Sequence, residues 1–323
     1  MEAEVNQYGG NHVVMTNVMK EVKTKYVNID TRFCRDYNTS PVASFTIDFP
    51  ERIQKVRSIN VTNIEFPLSF NNISKTMDNT SFAILVTSSG TTTQYSVTIP
   101  NGMYTNITDL ISAINSAMPI IPDVTVIIDQ SSPPTISSAP NIFFTVTMSA
   151  PVTKVEILFA VNEGMDECSS LTNTVHFDKY NIKSKLGWLL GFRQPFYETN
   201  ANTTISAEAM PDLNGPRYIY LAVDEFNNNA PQSTFVSMLP KSILNKNILA
   251  RISVESSKLL MVPFIFGMIQ IANTYNGNLI SDTRQYSDDV DLQRLQVHLV
   301  DEYGRTLHLN GLDFAFSLCV KHT

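Results

Sequence analysis

The sequence predicts a mainly β protein, an antiparallel β-sandwich of the jelly-roll type with one or two short helices in an inserted unit. Composition is the first indication. Only 16% of the 323 residues are charged, well below the usual quarter, and Thr, Ser and Asn, which favour strands and turns, take their place. The second indication is the alternation of apolar and polar residues near the carboxyl end. The third is the regular succession of about a dozen short apolar segments separated by turns, which is typical of a sandwich.

The segment 295–320 has the most regular alternation in the chain. Leu295, Val297 and Leu299 fall on one face of a strand, which indicates that this face is buried. The turn and core positions that follow are Gly304, Asn310, Gly311, Phe314 and Phe316. Because Asn-Gly is the dipeptide best suited to a two-residue type I′ turn, we expect a three-stranded antiparallel meander whose apolar face is covered by earlier parts of the chain.

The amino-terminal part is expected to begin with an arm. Residues 1–25 show no sustained period, which predicts an extended segment that becomes ordered against a partner. A strand is predicted at 26–29. Another covers 45–49 and is expected to end at Pro50, because proline interrupts a hydrogen-bonded ladder. The strand at 56–66 then has its apolar residues inward and ends at Pro67.

A hairpin, a helix and three strands are predicted next, and the helix is assigned to an inserted α+β unit. Residues 82–86 and 95–99 form a hairpin around a Ser-Ser-Gly turn. Apolar residues at helical spacing predict a helix over 106–118, capped by Asn106 or Thr105 and ended by Pro119. Three further strands are expected at 124–128, 142–148 and 155–159. The polar stretch 162–181 is predicted to be a long irregular loop.

The stretch KLGWLLGFR at 185–193 contains the only tryptophan. Trp188 among leucines, between Gly187 and Gly191, predicts one helical turn that plugs into the core. The alternative is an aromatic platform for a sugar or a base, which is rarer for a large aromatic residue surrounded by leucines.

The last third of the chain contributes strands at 218–223 and 248–254 before the final meander. The apolar run 259–272 is too short to span a bilayer, which favours a buried strand pair, with a hydrophobic docking surface as the alternative. The expected domains are an arm at 1–25, a β-sandwich portion with an inserted α+β unit at 26–192, and a second β portion at 193–323. This last portion either completes the first sandwich or forms a second one.

Charge and cysteine content exclude several classes of protein. A net charge of −7 argues against nucleic-acid binding. Cys34, Cys168 and Cys319 are odd in number and far apart, so that neither disulfides nor a zinc site is expected and a reducing compartment is indicated. The acidic amino terminus lacks the pattern of a signal peptide.

The search for catalytic or metal-binding patterns gives no firm site. His298 and His308 fall on one face of the predicted meander, where two solvated histidines are expected and a metal pair is the alternative. Acidic groups occur at Glu163/Asp166/Glu167, Asp224/Glu225 and Asp288/Asp289/Asp291. A glycosidase needs two acids across a cleft, and Asp224, at a strand end, is the one position that merits a test. We therefore expect no cofactor, no metal and no enzymatic activity.

Four stretches, taken in order, resemble the minor capsid and penton proteins of large icosahedral double-stranded DNA viruses of eukaryotes, the algal-virus and mimivirus group. They are YVNIDTRF at 26–33, SFTIDFPERIQKVRSINVTNIEFP at 44–67, KLGWLLGFR at 185–193 and LQVHLVDEYGRTLHLNGLDFAFSL at 295–318. The resemblance implies a jelly-roll protein of the virion that is assembled in the host cytoplasm. Major capsid proteins of these viruses carry two jelly rolls on a longer chain, so that the length here favours a minor capsid component.

The resemblance also implies partners. These are the capsomers of the major capsid protein and other minor capsid proteins. Self-association and a contact with a membrane that the chain does not span stay open, and no nucleic acid is expected. A penton at the fivefold vertices is the second interpretation, and a glycan-binding attachment module on the same scaffold is the alternative from another class.

Overall fold

The computed structural model describes residues 5–8, 11–14, 21–34, 42–131, 141–160, 181–226, 235, 247–255 and 268–323. The strands are β1 Val5–Tyr8, β2 Asn11–Val14, β3 Lys23–Asp30, β4 Ser44–Pro67, β5 Ser81–Ser88, β6 Thr91–Thr98, β7 Val124–Gln130, β8 Ile142–Met148, β9 Val152–Leu158, β10 Phe196–Thr199, β11 Thr203–Ser206, β12 Tyr218–Asp224, β13 Ile248–Ser253, β14 Ile269–Asn273, β15 Leu279–Ser281, β16 Arg284–Asp301 and β17 Ala315–His322. The helices are α1 Ile107–Ala117 and α2 Leu186–Leu189, with 3-10 turns at Thr31–Phe33, Lys75–Met77 and Asn181–Ser184.

The strands form four antiparallel sheets. The largest has the order β15-β13-β12-β16-β4-β17-β3, with β14 also paired to β4. Two smaller sheets have the orders β10-β9-β5-β6 and β11-β8-β7, and β1 pairs with β2. The predicted mainly β, antiparallel fold class is therefore confirmed, and the two smaller sheets, which share one core, are consistent with a jelly-roll-type sandwich.

The long strand β4 is the centre of the largest sheet. It pairs with β16 through its first half, with β17 through its second half and with β14 at its end. The prediction that Pro50 ends a strand is wrong, because β4 continues through it. Pro50 lies between Asp48 and Ile53, where the register with β16 shifts and no strand pair is formed. Proline is tolerated at such an irregularity, since no ladder hydrogen bond is needed from its nitrogen.

Two bulges explain the spacing of the buried residues in β4. Against β17, Lys321 and His322 pair with Ser58 and Val56, and Ser317 and Leu318 pair with Asn63 and Val61. Arg57 and Thr62 are therefore the extra residues. A bulge shifts the face to which later side chains point, and the fully buried residues are accordingly spaced by three as well as by two: Val56, Ile59, Val61, Ile64 and Phe66. The predicted inward positions of this strand are confirmed.

The predicted three-stranded meander at the carboxyl end is wrong. β16 pairs with β12 and β4, whereas β17 pairs with β3 and β4, so that β4 lies between them. The segment between the two strands makes a single bridge, from Thr306 to Val300, and does not form a strand. Alternation had correctly indicated which side chains are buried, but it carries no information about which strand is the neighbour.

The amino-terminal strands differ from the expected continuous arm. β1 and β2 pair with each other in antiparallel fashion, and no pairing of either with another described strand is present. β3 begins at Lys23, three residues before the predicted start at Tyr26. An arm that ends at residue 25 stays a prediction.

Two large clusters of buried side chains form most of the core in the described residues. The first unites β3 and β4 with β12 to β17 and includes Phe66, Leu221, Leu299 and Phe316. The second unites β5 to β9 with both helices and is centred on Phe residues. Phe159 stacks on Phe192 with ring centroids 5.1 Å apart. The predicted domain boundaries at residues 25 and 192 stay a prediction.

The elements predicted between residues 82 and 159 are confirmed. β5 and β6 form the hairpin, with Ser89 and Gly90 both at positive φ in the turn. The side chain of Asn106 accepts a hydrogen bond from the Thr108 N–H and so caps α1, which ends before Pro119. β7, β8 and β9 correspond to the other three strands. The predicted loop at 162–181 lies outside the described residues except for Asn181.

Hydrogen bonds and an ion pair connect the segment around Lys185, the 3-10 turn that follows β4 and the turn that follows β16. Lys185, whose side chain is fully buried, forms an ion pair with Asp78. The Arg305 guanidinium donates to the Met77 carbonyl, and the Tyr303 hydroxyl donates to the Lys183 carbonyl at 3.2 Å. The turn after β16 is thereby fixed to both segments that border the second core.

Candidate functional site

The residues predicted as core and turn positions near the carboxyl end occupy such positions. Phe314 and Phe316 are each 2% exposed, and their rings stack with centroids 6.0 Å apart. Gly304, Asn310 and Gly311 all have positive φ, the backbone region that Gly and Asn adopt at low cost. The Asn310 amide also donates to the Ser69 carbonyl, which ties this turn to the chain that follows β4.

The glycines beside the tryptophan have a steric role. A Cβ on Gly187 would lie 2.4 Å from the Phe159 ring, and one on Gly191 would lie 2.0 Å from the Ala209 carbonyl oxygen. Trp188 itself is only partly buried, which differs from the prediction that it plugs into the core. Leu186 and Leu190 fill that place.

Two cationic side chains, those of Arg193 and Lys183, lie over the ring of Trp188. The Arg193 guanidinium lies 3.9 Å from the ring centroid and Lys183 Nζ lies 5.9 Å from it. Guanidinium groups stack favourably on indole, and the Arg193 guanidinium covers one face of the Trp188 ring. Nothing in this arrangement favours a platform for a sugar or a base.

The histidines and the acidic residues do not form a metal or catalytic cluster among the described residues. His298 Nδ1 lies 2.9 Å from Ser44 Oγ, and burial lowers the pKa of His298, whereas exposed His308 contacts Asn310. No group of three or more possible metal ligands is found in the described parts of the chain. The cluster at Glu163, Asp166 and Glu167 lies outside the described residues, as do His176 and Cys168.

The acids at the end of β12 and in β16 have structural partners. Asp224 accepts a hydrogen bond from the Phe226 N–H. Asp289 and Asp291 form ion pairs with Arg57 and Arg52. These contacts position loops and strands, and they do not place two carboxylates across a cleft.

Glu225 belongs to a buried polar cluster that sequence analysis did not find. Its carboxylate accepts from Arg284 Nη1 at 2.6 Å and from the Tyr286 hydroxyl at 2.5 Å. Arg284 also donates to the Val223 carbonyl at 2.8 Å, while its Nη2 is buried and has no hydrogen-bond partner in the described part of the chain. Burial and the neighbouring Glu225 carboxylate raise the pKa of Tyr286. The cluster fixes the end of β12 to the start of β16.

Glu302 is a second buried acid with an unusual environment. Its Oε2 is buried and has no hydrogen-bond partner among the described residues. Burial is the main reason that its pKa is raised to about 7; neighbouring Asp301 also raises it, whereas Arg305 and Arg217 lower it. The protonated carboxyl is therefore the form that the folded protein favours at mildly acidic pH.

The substitution Glu302→Gln is expected to change the pH dependence of stability. Because the folded-state pKa lies above the unfolded value, the stabilising effect of the protonated carboxyl is complete below about pH 4.5 and is lost as the pH rises through about 7. The variant should gain about 1 to 2 kcal/mol at pH 8 relative to the wild type and little at pH 5. Urea unfolding at both pH values measures the difference. Exposed Glu65→Gln is the matched control, and equal gains at both pH values would contradict the assignment.

The best candidate for a contact surface is the segment formed by β14, the following turn and β15. Gln270, Ala272 and Leu279 are buried on the core side. The residues that alternate with them point away from the core, and large apolar side chains occupy those positions: Ile269 is 63% exposed, Ile271 52% and Ile280 53%. We call the surface formed by these three residues and Tyr275 the isoleucine face.

The turn of this segment is held by asparagine side chains. Asn273 Oδ1 accepts from the Tyr275 and Asn276 N–H groups, both at 2.9 Å. Asn276 bridges the Ile271 carbonyl, at 2.8 Å, and the Asn273 N–H, at 3.1 Å. Tyr275 is thereby presented with 99% of its surface exposed. A rigid segment with four exposed apolar side chains is typical of a protein contact surface.

Only part of this surface was foreseen from the sequence. The alternatives for 259–272 were a buried strand pair and a docking surface, and residues 259–267 lie outside the described residues. In the described part, Ala272 belongs to the core, while Ile269 and Ile271 are exposed. The dipeptide Asn276-Gly277 and the alternation on both sides of it were the signals for the turn and for β15, which the sequence analysis did not assign.

Comparison with known proteins gives similarity to several solved structures, of which two are described. No family model and no curated protein matches the chain. The crystal structure of the selenomethionine-labelled mavirus penton protein is 10% identical, with a TM-score of 0.42 over 94% of this chain and 100% of that chain. The cryo-EM structure of the Sputnik virophage includes a chain that is 14% identical, with a TM-score of 0.38 over 93% of this chain and 98% of that chain. Both TM-scores are below 0.5, so that neither likeness defines the function of this chain.

The described residues contain no helix that is long and apolar enough to cross a membrane.

Proposed function

We propose that this chain is a structural protein of a virion, a minor capsid component that links or supports the major capsomers of a large icosahedral double-stranded DNA virus. One observation carries the proposal. Of the four stretches that resemble such proteins, three are far apart in the sequence but meet in one sheet, as β3, β4 and the strands β16 and β17. The resemblance thus covers one connected structural unit, which isolated turn motifs would not do.

The isoleucine face supports a role in binding another protein. Its side chains contribute apolar area that is exposed in the isolated chain, and burial of apolar area against a neighbour is the main driving force of association. A standard interface involves roughly 20–30 residues on each side, and the isoleucine face comprises four. A shell component makes several such contacts at once, so that modest contacts add through avidity.

The expected partners are the capsomers of the major capsid protein and other minor capsid proteins, and the expected location is the virion, after assembly in the host cytoplasm. A penton at the fivefold vertices is the second candidate. The two candidates differ in the mass of the purified chain, since a penton forms a discrete pentamer. A glycan-binding module has no supporting feature in the described structure, and the absence of enzymatic activity stays a prediction.

The double substitution Ile269→Ser and Ile271→Ser tests the contact surface. Both side chains are exposed, so that the variant should fold normally but be retained in particles at least about tenfold less than the wild type, given the lost apolar burial. Quantitative mass spectrometry of purified particles measures retention. Ile127→Ser, at an exposed position of β7 in the inserted unit, is the matched control and should be retained normally. Equal retention of all three proteins would show that the isoleucine face is not a capsid contact.

A further inference from the structure

The strand β6 lies at the edge of its sheet and is unusually unprotected. It pairs with β5, and no second strand pairs with it among the described residues. Its sequence, TTTQYSVT, contains eight residues without a charge or a proline. Natural edge strands generally carry charges, prolines or bulges that prevent pairing with another chain, and β6 has none of these.

The register with β5 identifies the free backbone groups. The two-residue turn pairs Thr91 with Ser88, and beyond the other end Ile99 donates its N–H to the Thr80 carbonyl at 2.9 Å. In an antiparallel pair, hydrogen-bonded and non-hydrogen-bonded residues alternate. The N–H and C=O groups that point away from β5 therefore belong to Thr92, Gln94, Ser96 and Thr98, whose side chains are all exposed.

The other sheet edges are protected. β3 carries Lys23 and Lys25, and β7 carries Asp129. At the free edge of β14, the Asn276 side chain donates a hydrogen bond to the Ile271 carbonyl and accepts one from the Asn273 N–H. These backbone groups are therefore not available to another strand. β1, β2, β10, β11 and β15 have only three or four residues each. The contrast singles out β6 as the edge that can accept another strand.

We propose that β6 pairs with β6 of a second copy of this chain, antiparallel and about a twofold axis perpendicular to the sheet. In this arrangement Gln94 lies opposite Ser96 and Thr92 opposite Thr98, with Tyr95 at the axis. All four residues with free backbone groups then face one another across the axis in hydrogen-bonded pairs, and their side chains stay on one face. The absence of charge means that no like charges meet, and pairs of hydroxyl side chains stabilise antiparallel strands.

As a contact within a shell the pairing rests on the proposed function, because it names one partner of the shell component. The strand pairing itself is measured on the purified chain and does not depend on particles. A single strand pair buries less area than a stable dimer needs, so that the expected dissociation constant lies between about 10 µM and 1 mM.

Sedimentation velocity of the full chain between about 10 µM and 1 mM tests the pairing. The wild type should convert reversibly from monomer to dimer. Gln94→Pro should weaken the dimer at least tenfold without unfolding the chain, because the Gln94 N–H points to solvent and proline is tolerated there. Tyr95→Pro is the matched contrast, since Tyr95 pairs with Ile84 in the ladder and its substitution should destabilise the fold.

Variants with opposite charges at position 94 test whether the partner strand belongs to a second copy of the chain. Gln94→Lys and Gln94→Glu should each weaken self-association, because the two copies of residue 94 lie near the axis on one face. An equimolar mixture of the two variants should dimerise at least as strongly as the wild type. A wild type that stays monomeric at about 1 mM, variants that associate like the wild type, or oligomers larger than a dimer would each overturn the proposal.

Discussion

Substitution of Arg284 with methionine is expected to lower the free energy of unfolding by about 3–5 kcal/mol, because it leaves the buried Glu225 carboxylate without its cation. The ion pair joins the end of β12 to the start of β16, and both side chains are less than a tenth exposed. Removing one partner of a buried pair costs far more than removing an exposed one. Urea unfolding, followed by circular dichroism, measures the loss.

Two further variants separate the charge from the packing. Tyr286→Phe removes one hydrogen bond to the Glu225 carboxylate and should cost about 1.5–3 kcal/mol, less than the loss of the cation. The double variant Arg284→Met with Glu225→Leu removes both charges and should recover most of the stability lost in Arg284→Met. If Arg284→Met alone lowered the free energy of unfolding by less than about 1 kcal/mol, the ion pair would not be an important stabilising contact between β12 and β16.

Gly191→Ala is expected to have the second large effect, a loss of about 2–5 kcal/mol. Gly191 has φ of +98°, and the added Cβ would lie 2.0 Å from the Ala209 carbonyl oxygen. The backbone is fixed there, since the Ala209 N–H donates to the Gly191 carbonyl at 3.0 Å. Relief of the clash would displace the segment that follows α2 and disturb the packing of Phe192 in the second core. Thermal unfolding of the purified variant measures the loss.

Gly277→Ala isolates the effect of backbone conformation from that of crowding. Gly277 has a similar positive φ, +76°, but nothing lies within 4 Å of its added Cβ. Its substitution should therefore cost only about 1–2 kcal/mol, the price of the left-handed conformation. Equal losses at the two positions would mean that the contact with Ala209 relaxes without cost.

The sequence predicted the elements of this fold better than their arrangement. Alternation identified the buried residues of β4, β16 and β17, because side-chain direction in a strand depends on neighbours in sequence. The prediction of which strands are neighbours in the sheet was wrong, since the position of β4 between β16 and β17 depends on contacts between residues more than 200 positions apart. The prediction that a strand ends at Pro50 was wrong for a related reason. Whether a proline ends a strand depends on its register with the neighbouring strand, and the local sequence does not determine that register.

The candidate surfaces were harder to predict than the core. Ile269 and Ile271 belong to an apolar run that favoured burial, and only the sheet shows that alternate residues of this run are exposed. The Glu225 cluster was missed because Arg284 and Tyr286 lie about 60 residues away in sequence. Residues such as Gly187 and Gly191 were singled out by their position around Trp188, but the reason for them, contact with Phe159 and Ala209, appears only in the structure.

The abundance of the chain in purified virus particles tests the proposed shell function most directly. Particles can be treated with nuclease, purified by density, and analysed by quantitative mass spectrometry against the major shell protein. A minor capsid component should be present at a fixed molar ratio that survives repeated purification. Absence of the chain from the particles, with recovery only in the soluble fraction of the infected cells, would contradict a structural role in the virion.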